Sequence, residues 1–196
     1  YVGQWHIRAT RRGLKKLRGN LTEVLRLMDL ANLYGIYIDH HTWEAIRNQM
    51  MALPQAELTS EVIQRFLSLL SQPKRLGELL RRLHELRVLE KLVPGMTHAR
   101  CLLQFNEYHK YTVDEHSFRA VEAATELQFD NHGMGRRYRR LDDKRLLHLA
   151  LLIHDIGKGY EEDHCIVGAR IAKKTAERLM LDANSAETLE WLVLKH

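Results

Sequence analysis

Residues 146–158 read LLHLALLIHDIGK, and this stretch decides the fold. Leu146, Leu147, Leu149, Ala150, Leu151, Leu152 and Ile153 leave almost no polar face, so a helix here is buried on all sides. It ends in the doublet His154-Asp155, followed by Gly157 and Lys158. Two ionisable side chains at the end of a buried helix are costly unless something neutralises them. A divalent cation does this well, because neutral imidazole and carboxylate are both good ligands for it.

Working outward, Asp142-Asp143 cap this helix on its N-terminal side, and Asn131–Arg140 (NHGMGRRYRR) reads as an arginine-rich loop. Before it, Thr112–Leu127 is a helix with Val113, His116, Ala120, Val121, Ala124 and Leu127 on one face, which turns His116 inward. After it, Ile166–Met180 is amphipathic, and Asn184 with Glu187 caps a last helix in which Leu189, Leu192, Val193 and His196 share a face. Toward the N-terminus, Asn20 and Glu23 form a capping box for a helix that stops before Gly35. Thr42–Leu53 and Ser60–Leu70 follow as helices ended by prolines. Lys74–Lys91 repeats leucine at helical spacing, with His84 read as a solvated or packing histidine.

These periods predict an all-α fold: a helical bundle at 95–196, preceded by a helical extension at 20–94, with Pro94-Gly95 as the boundary. Residues 1–19 read as a basic arm, disordered or interdomain, with a short strand through Trp5–Ile7 as the other reading. The arm carries Arg8, Arg11, Arg12, Lys15, Lys16 and Arg18 without an acid, while the remaining 24 basic and 25 acidic residues nearly cancel. No nucleic-acid-binding motif supports that charge, so nucleic acid is not an expected partner. No apolar run approaches the roughly 20 residues of a membrane span. The two cysteines, Cys101 and Cys165, are too few for a disulfide framework and point to a reducing cytoplasm. A start at Tyr1 rather than Met suggests a piece of something longer.

His116, His154 with Asp155, and His164 or His196 therefore reach one region from separate helices, the way helical bundles build metal sites. This pattern resembles the HD superfamily of metal-dependent phosphohydrolases, whose signature runs H…HD…D. Glu107–His116 (EYHKYTVDEH), His154–His164 (HDIGKGYEEDH) and Trp191–His196 (WLVLKH) are more closely similar to the HD domain of the bifunctional PII uridylyltransferase/uridylyl-removing enzymes. Leu80–Pro94 (LRRLHELRVLEKLVP) is similar to the helix before that domain in the same family. Tyr160-Glu161-Glu162-Asp163 stands where family members often have Arg-Gly-Gly-Asp.

The resemblance implies a divalent ion (Mn, Fe, Co, Zn or Mg) held by His116, His154 and Asp155, with Asp155 and Lys158 in catalysis. His164 and His196 become candidates for a second metal or for the substrate. His109, about 10 Å along a continuous helix from His116, becomes a pocket-lining candidate. The implied reaction is phosphodiester hydrolysis that removes UMP from the PII signalling protein in nitrogen regulation. The nucleotidyltransferase and ligand-sensing domains of such enzymes, and the closing aspartate ligand, would lie outside these residues, leaving the 95–196 core truncated at its C-terminal end. Two other functions fit a helical HD scaffold: a general nucleotide phosphohydrolase and a non-catalytic regulatory module.

Overall fold

A computed structural model describes residues 3, 5–53, 58–103 and 111–196. Among them the chain forms twelve α-helices and one pair of two-residue strands. The helices are α1 (Arg11–Leu17), α2 (Leu21–Tyr34), α3 (His40–Ala52), α4 (Ser60–Ser71), α5 (Leu76–Glu85), α6 (Leu89–Leu92), α7 (Met96–Ala99), α8 (Val113–Glu126), α9 (Gly133–Arg140), α10 (Lys144–Ile153), α11 (His164–Arg178) and α12 (Ala183–Leu194). The all-helical expectation holds, and among the described residues no helix is long and apolar enough to cross a membrane.

Local chemistry sets most of the boundaries. The Asn20 side chain accepts from the Glu23 amide at the start of α2, and Gly35 closes that helix in the left-handed conformation at φ 66°. The capping box is only half made, because the Glu23 carboxylate turns to Arg26 instead. Asp39 caps α3, Thr59 caps α4 and Asp143 caps α10, each by accepting backbone amides of the first turn.

Four local expectations need correction. Residues 11–17 are helical, because Thr10 supplies an N-cap and Leu17 a buried anchor. Ahead of that helix the strand reading of the arm holds at two residues: Ile7, also buried, sits in β1 (His6–Ile7) parallel to β2 (Tyr37–Ile38), pairing His6 with Tyr37 and Ile7 with Ile38. Lys74–Lys91 is not one helix: Arg87 takes a φ of 63° and splits it into α5 and α6. The arginine-rich stretch is helix α9 rather than a loop, held by Tyr138, which is 2% exposed. Finally, the last helix is capped by Asp182, which accepts from the Ser185 amide, and not by Asn184.

The buried apolar side chains form one cluster from Leu17 to Val193. At its centre lies α10, packed by α4, α8, α11 and α12. No residue from Leu146 to Lys158 is exposed. His148, in the middle of α10, is completely buried; its Nδ1 donates to the Leu70 carbonyl at 2.6 Å, and its Nε2 meets the Tyr138 hydroxyl at 2.9 Å. A carbonyl only accepts, so Nδ1 carries the proton and Nε2 accepts from tyrosine: a neutral imidazole, fully satisfied, ties α4, α9 and α10 together.

Candidate metal centre

Helix α10 hands the chain to the site. His154 ends it, and the next residues turn back so that the Lys158 amide donates to the Asp155 carbonyl at 3.0 Å. Gly157 makes this turn possible. A Cβ there would lie 2.1 Å from the His164 carbonyl oxygen and 2.6 Å from the Gly168 amide nitrogen. The His-Asp turn therefore rests directly on the backbone of α11. Asp163 caps α11 by accepting the Cys165 and Ile166 amides, which makes His164 its first residue.

Around the 4%-exposed Asp155 three imidazoles converge. His116 Nε2 is 3.5 Å and His154 Nε2 3.4 Å from Asp155 Oδ2, and His196 Nε2 is 3.3 Å from Oδ1. Lys158 Nζ donates to Oδ2 at 2.8 Å. His154 Nδ1 donates to the Leu151 carbonyl at 2.8 Å and His196 Nδ1 to the Val193 carbonyl at 2.7 Å. Those backbone bonds fix both rings so that each Nε2 faces the carboxylate. A neutral imidazole in this tautomer presents a lone pair to a carboxylate that also has only lone pairs. Such an arrangement is stable only with a proton or a cation between the two acceptors. Burial by itself would raise the Asp155 pKa, but the hydrogen bond and charge that His154 supplies when a proton sits between the two acceptors, together with those of the Lys158 ammonium, outweigh it and hold the carboxyl well below the usual carboxylate range.

One donor atom each from His116, His154 and Asp155 falls within a 4.8 Å group, and so does one each from His164, Cys165 and His196. Two ligands about 2.1 Å from one ion at the tetrahedral angle lie about 3.4 Å apart. The 3.4 and 3.5 Å separations at Asp155 Oδ2 match that span, so the first group fits a single divalent ion. The rings of His116, His154, His196 and His164 follow one another at centroid spacings of 5.2, 5.3 and 5.5 Å, which links the two groups into one wall.

His116 differs from the inward position read in the sequence. Its side chain is 44% exposed, at the rim of α8, while Val113, Ser117, Phe118 and Val121 fill the core. His109 lies outside the described residues. Two residues near the centre carried no signal of their own. His98 donates from Nε2 to the Lys158 carbonyl at 3.1 Å and meets the Tyr160 ring at 4.1 Å, which braces the turn after the His-Asp pair. Cys165 was visible only as a thiol, yet its Sγ lies 3.6 Å from His164 Nε2. Of the solvated and packing roles read for His84, the structure has the packing one: the side chain is buried, with Nε2 3.1 Å from Asp114 Oδ2.

Comparison with known proteins bears on the same residues. The family model of the HD domain matches residues 113–196. The chain is 35% identical over 212 aligned residues to a protein of Ruegeria pomeroyi named bifunctional uridylyltransferase/uridylyl-removing enzyme. That alignment covers 96% of this chain but 23% of the relative, so the chain spans about a quarter of the relative's length. The matched segment opens one residue after the cap of α8 and takes in every imidazole that meets Asp155, so residues 113–196 are similar to the HD domain.

Proposed function

We propose that this chain carries a metal-dependent phosphodiesterase centre of the uridylyl-removing type, releasing UMP from a uridylylated tyrosine of the PII protein. The observation that carries the reading is the convergence of His116, His154 and His196 on one buried, ionised carboxylate with Lys158 beside it. The substrate rests on the sequence relationship to a uridylyl-removing enzyme.

In this reading His116, His154 and Asp155 hold a divalent ion, whose identity among Mn, Fe, Co, Zn and Mg their mixed nitrogen and oxygen donors leave open. Such an ion lowers the pKa of water and draws charge from a phosphoryl oxygen. The chain's own groups do the rest. Asp155 stays ionised throughout the neutral range, because its neighbours hold its pKa down. The Leu151 and Val193 carbonyls keep the His154 and His196 rings from rotating away. The Lys158 ammonium, 14% exposed, brings fixed positive charge for the phosphate's non-bridging oxygens. Positioning is expected to matter as much as charge, since phosphoryl transfer depends on in-line placement.

The test is to incubate the chain with uridylylated PII and Mn²⁺ and follow UMP by chromatography. Metal-dependent UMP release that is absent in Asp155→Asn supports the assignment. Hydrolysis of free nucleotides with uridylylated PII left intact would replace it with the general nucleotide phosphohydrolase.

A further inference from the structure

We infer that His164, Cys165 and His196 form a second cation site whose sulfur ligand selects a thiophilic d-block ion such as Zn²⁺ or Co²⁺ over Mg²⁺. The inference deepens the function proposed above and rests on it only for the ion at the neighbouring site.

Zinc binds imidazole nitrogen at about 2.0 Å and thiolate sulfur at about 2.3 Å, so at the tetrahedral angle the two donors lie about 3.5 Å apart. His164 Nε2 and Cys165 Sγ are 3.6 Å apart. Neighbouring residues in a helix normally diverge by about 100°. These two can approach because they occupy the first positions of α11, set there by the Asp163 cap. His196 approaches from the end of α12, its ring 5.5 Å from that of His164 and steep to it at 75°. One donor atom of each residue lies within 4.8 Å of the others. The thiol of Cys165 is not engaged in a disulfide and is half-buried.

The site is also held rigidly. Val193 packs into the core one turn before His196 and accepts from its Nδ1, which leaves Nε2 as the donor atom. The Gly157 turn lies against the His164 carbonyl, so His164 cannot shift without displacing the His154-Asp155 pair. Thiolate and imidazole together favour borderline and soft cations, whereas the carboxylate-containing group at Asp155 accepts harder ones. The two groups thus differ in preference although they share one wall.

Titration of the chain with Co²⁺ tests this, because only a sulfur ligand gives a thiolate-to-cobalt charge-transfer band in the near ultraviolet. The band is expected in the wild type, in Cys101→Ser and in His116→Ala, and is expected to vanish in Cys165→Ser. Zn²⁺ added in equal amount should bleach it, and Mg²⁺ in roughly hundredfold excess should not. A wild type without the band, or a Cys165→Ser protein that keeps it, overturns the inference. Failure of the uridylyl-removing reading would show instead as absent UMP release with the band intact.

Discussion

His84 Nε2 lies 3.1 Å from Asp114 Oδ2, with 5% and 8% of the two side chains exposed, two residues before His116. The Asp114 carboxylate also accepts the Cys101 amide at 2.9 Å and the Glu115 amide at 3.0 Å. It thereby joins α5, the end of α7 and the first turn of α8. His84 has a second acid behind it, Glu90, at 3.6 Å. Burial raises the Asp114 pKa, but the hydrogen bonds from His84, Thr112 and the two amides outweigh it and hold the carboxyl well below its ordinary value.

Asp114→Ala is therefore expected to cost about 3–5 kcal/mol, the range for removing one partner of a buried pair. Asp114→Asn, which keeps an acceptor oxygen, should cost less. Urea denaturation at pH 7 measures both. The sign with pH follows from the depressed value: the stabilisation is complete above the unfolded carboxyl pKa and is lost as pH falls toward the folded one.

Much of this architecture is legible in the sequence, and the exceptions have physical causes. The helix ending in His154-Asp155 is legible because a continuous apolar run admits no solvated face. Helix α9 is not, because its packing rests on Tyr138 and on Gly135, where a Cβ would lie 2.0 Å from the Asp130 carbonyl oxygen. Four arginines around those two residues give no apolar period. The break at Arg87 is equally hidden, since its left-handed backbone has no glycine to announce it. At the site, the helix faces point to His116, His154 with Asp155, and His164 or His196 as one region, and the family resemblance implies His116, His154 and Asp155 as the ligand set. Cys165 escapes notice because its meaning depends on His196, which arrives from a helix thirty residues on.

His148 predicts an acid-sensitive stability. Burial pushes its pKa below 6.5 while the unfolded chain keeps the ordinary value. As pH falls through the unfolded value, the unfolded state takes a proton that the folded state refuses, so stability declines toward the folded pKa. His148→Phe should flatten that component between pH 7.5 and 5.5. It should also cost about 1–3 kcal/mol, because it leaves the Leu70 carbonyl and the Tyr138 hydroxyl unpaired. Urea midpoints at the two pH values check this.

Gly157→Ala should be among the most damaging single-methyl changes. The added carbon would meet the His164 carbonyl and the Gly168 amide, both backbone, so α11 must move. A loss of about 3 kcal/mol is expected, the upper end for overpacking. Thermal unfolding by circular dichroism measures it; a Tm equal to that of the wild type would show that the turn is not so tightly seated.

Lys158→Met separates charge from structure. It removes the ammonium next to Asp155 while keeping an unbranched side chain of similar length. Phosphodiester hydrolysis should fall by roughly 10²-fold, as when one charge-stabilising donor is lost. Mn²⁺ affinity should stay within a few-fold of wild type. Parallel loss of both would make Lys158 a support for the carboxylate rather than for the phosphate.

His116, His154 and Asp155 are expected to hold one divalent ion together. Electron paramagnetic resonance of free Mn²⁺, titrated against the wild type and Asp155→Asn, tests this most directly. The wild type is expected to remove the free-ion signal, and Asp155→Asn, with its helical circular dichroism intact, to bind at least about tenfold more weakly. Equal Mn²⁺ affinity in the two proteins would contradict it.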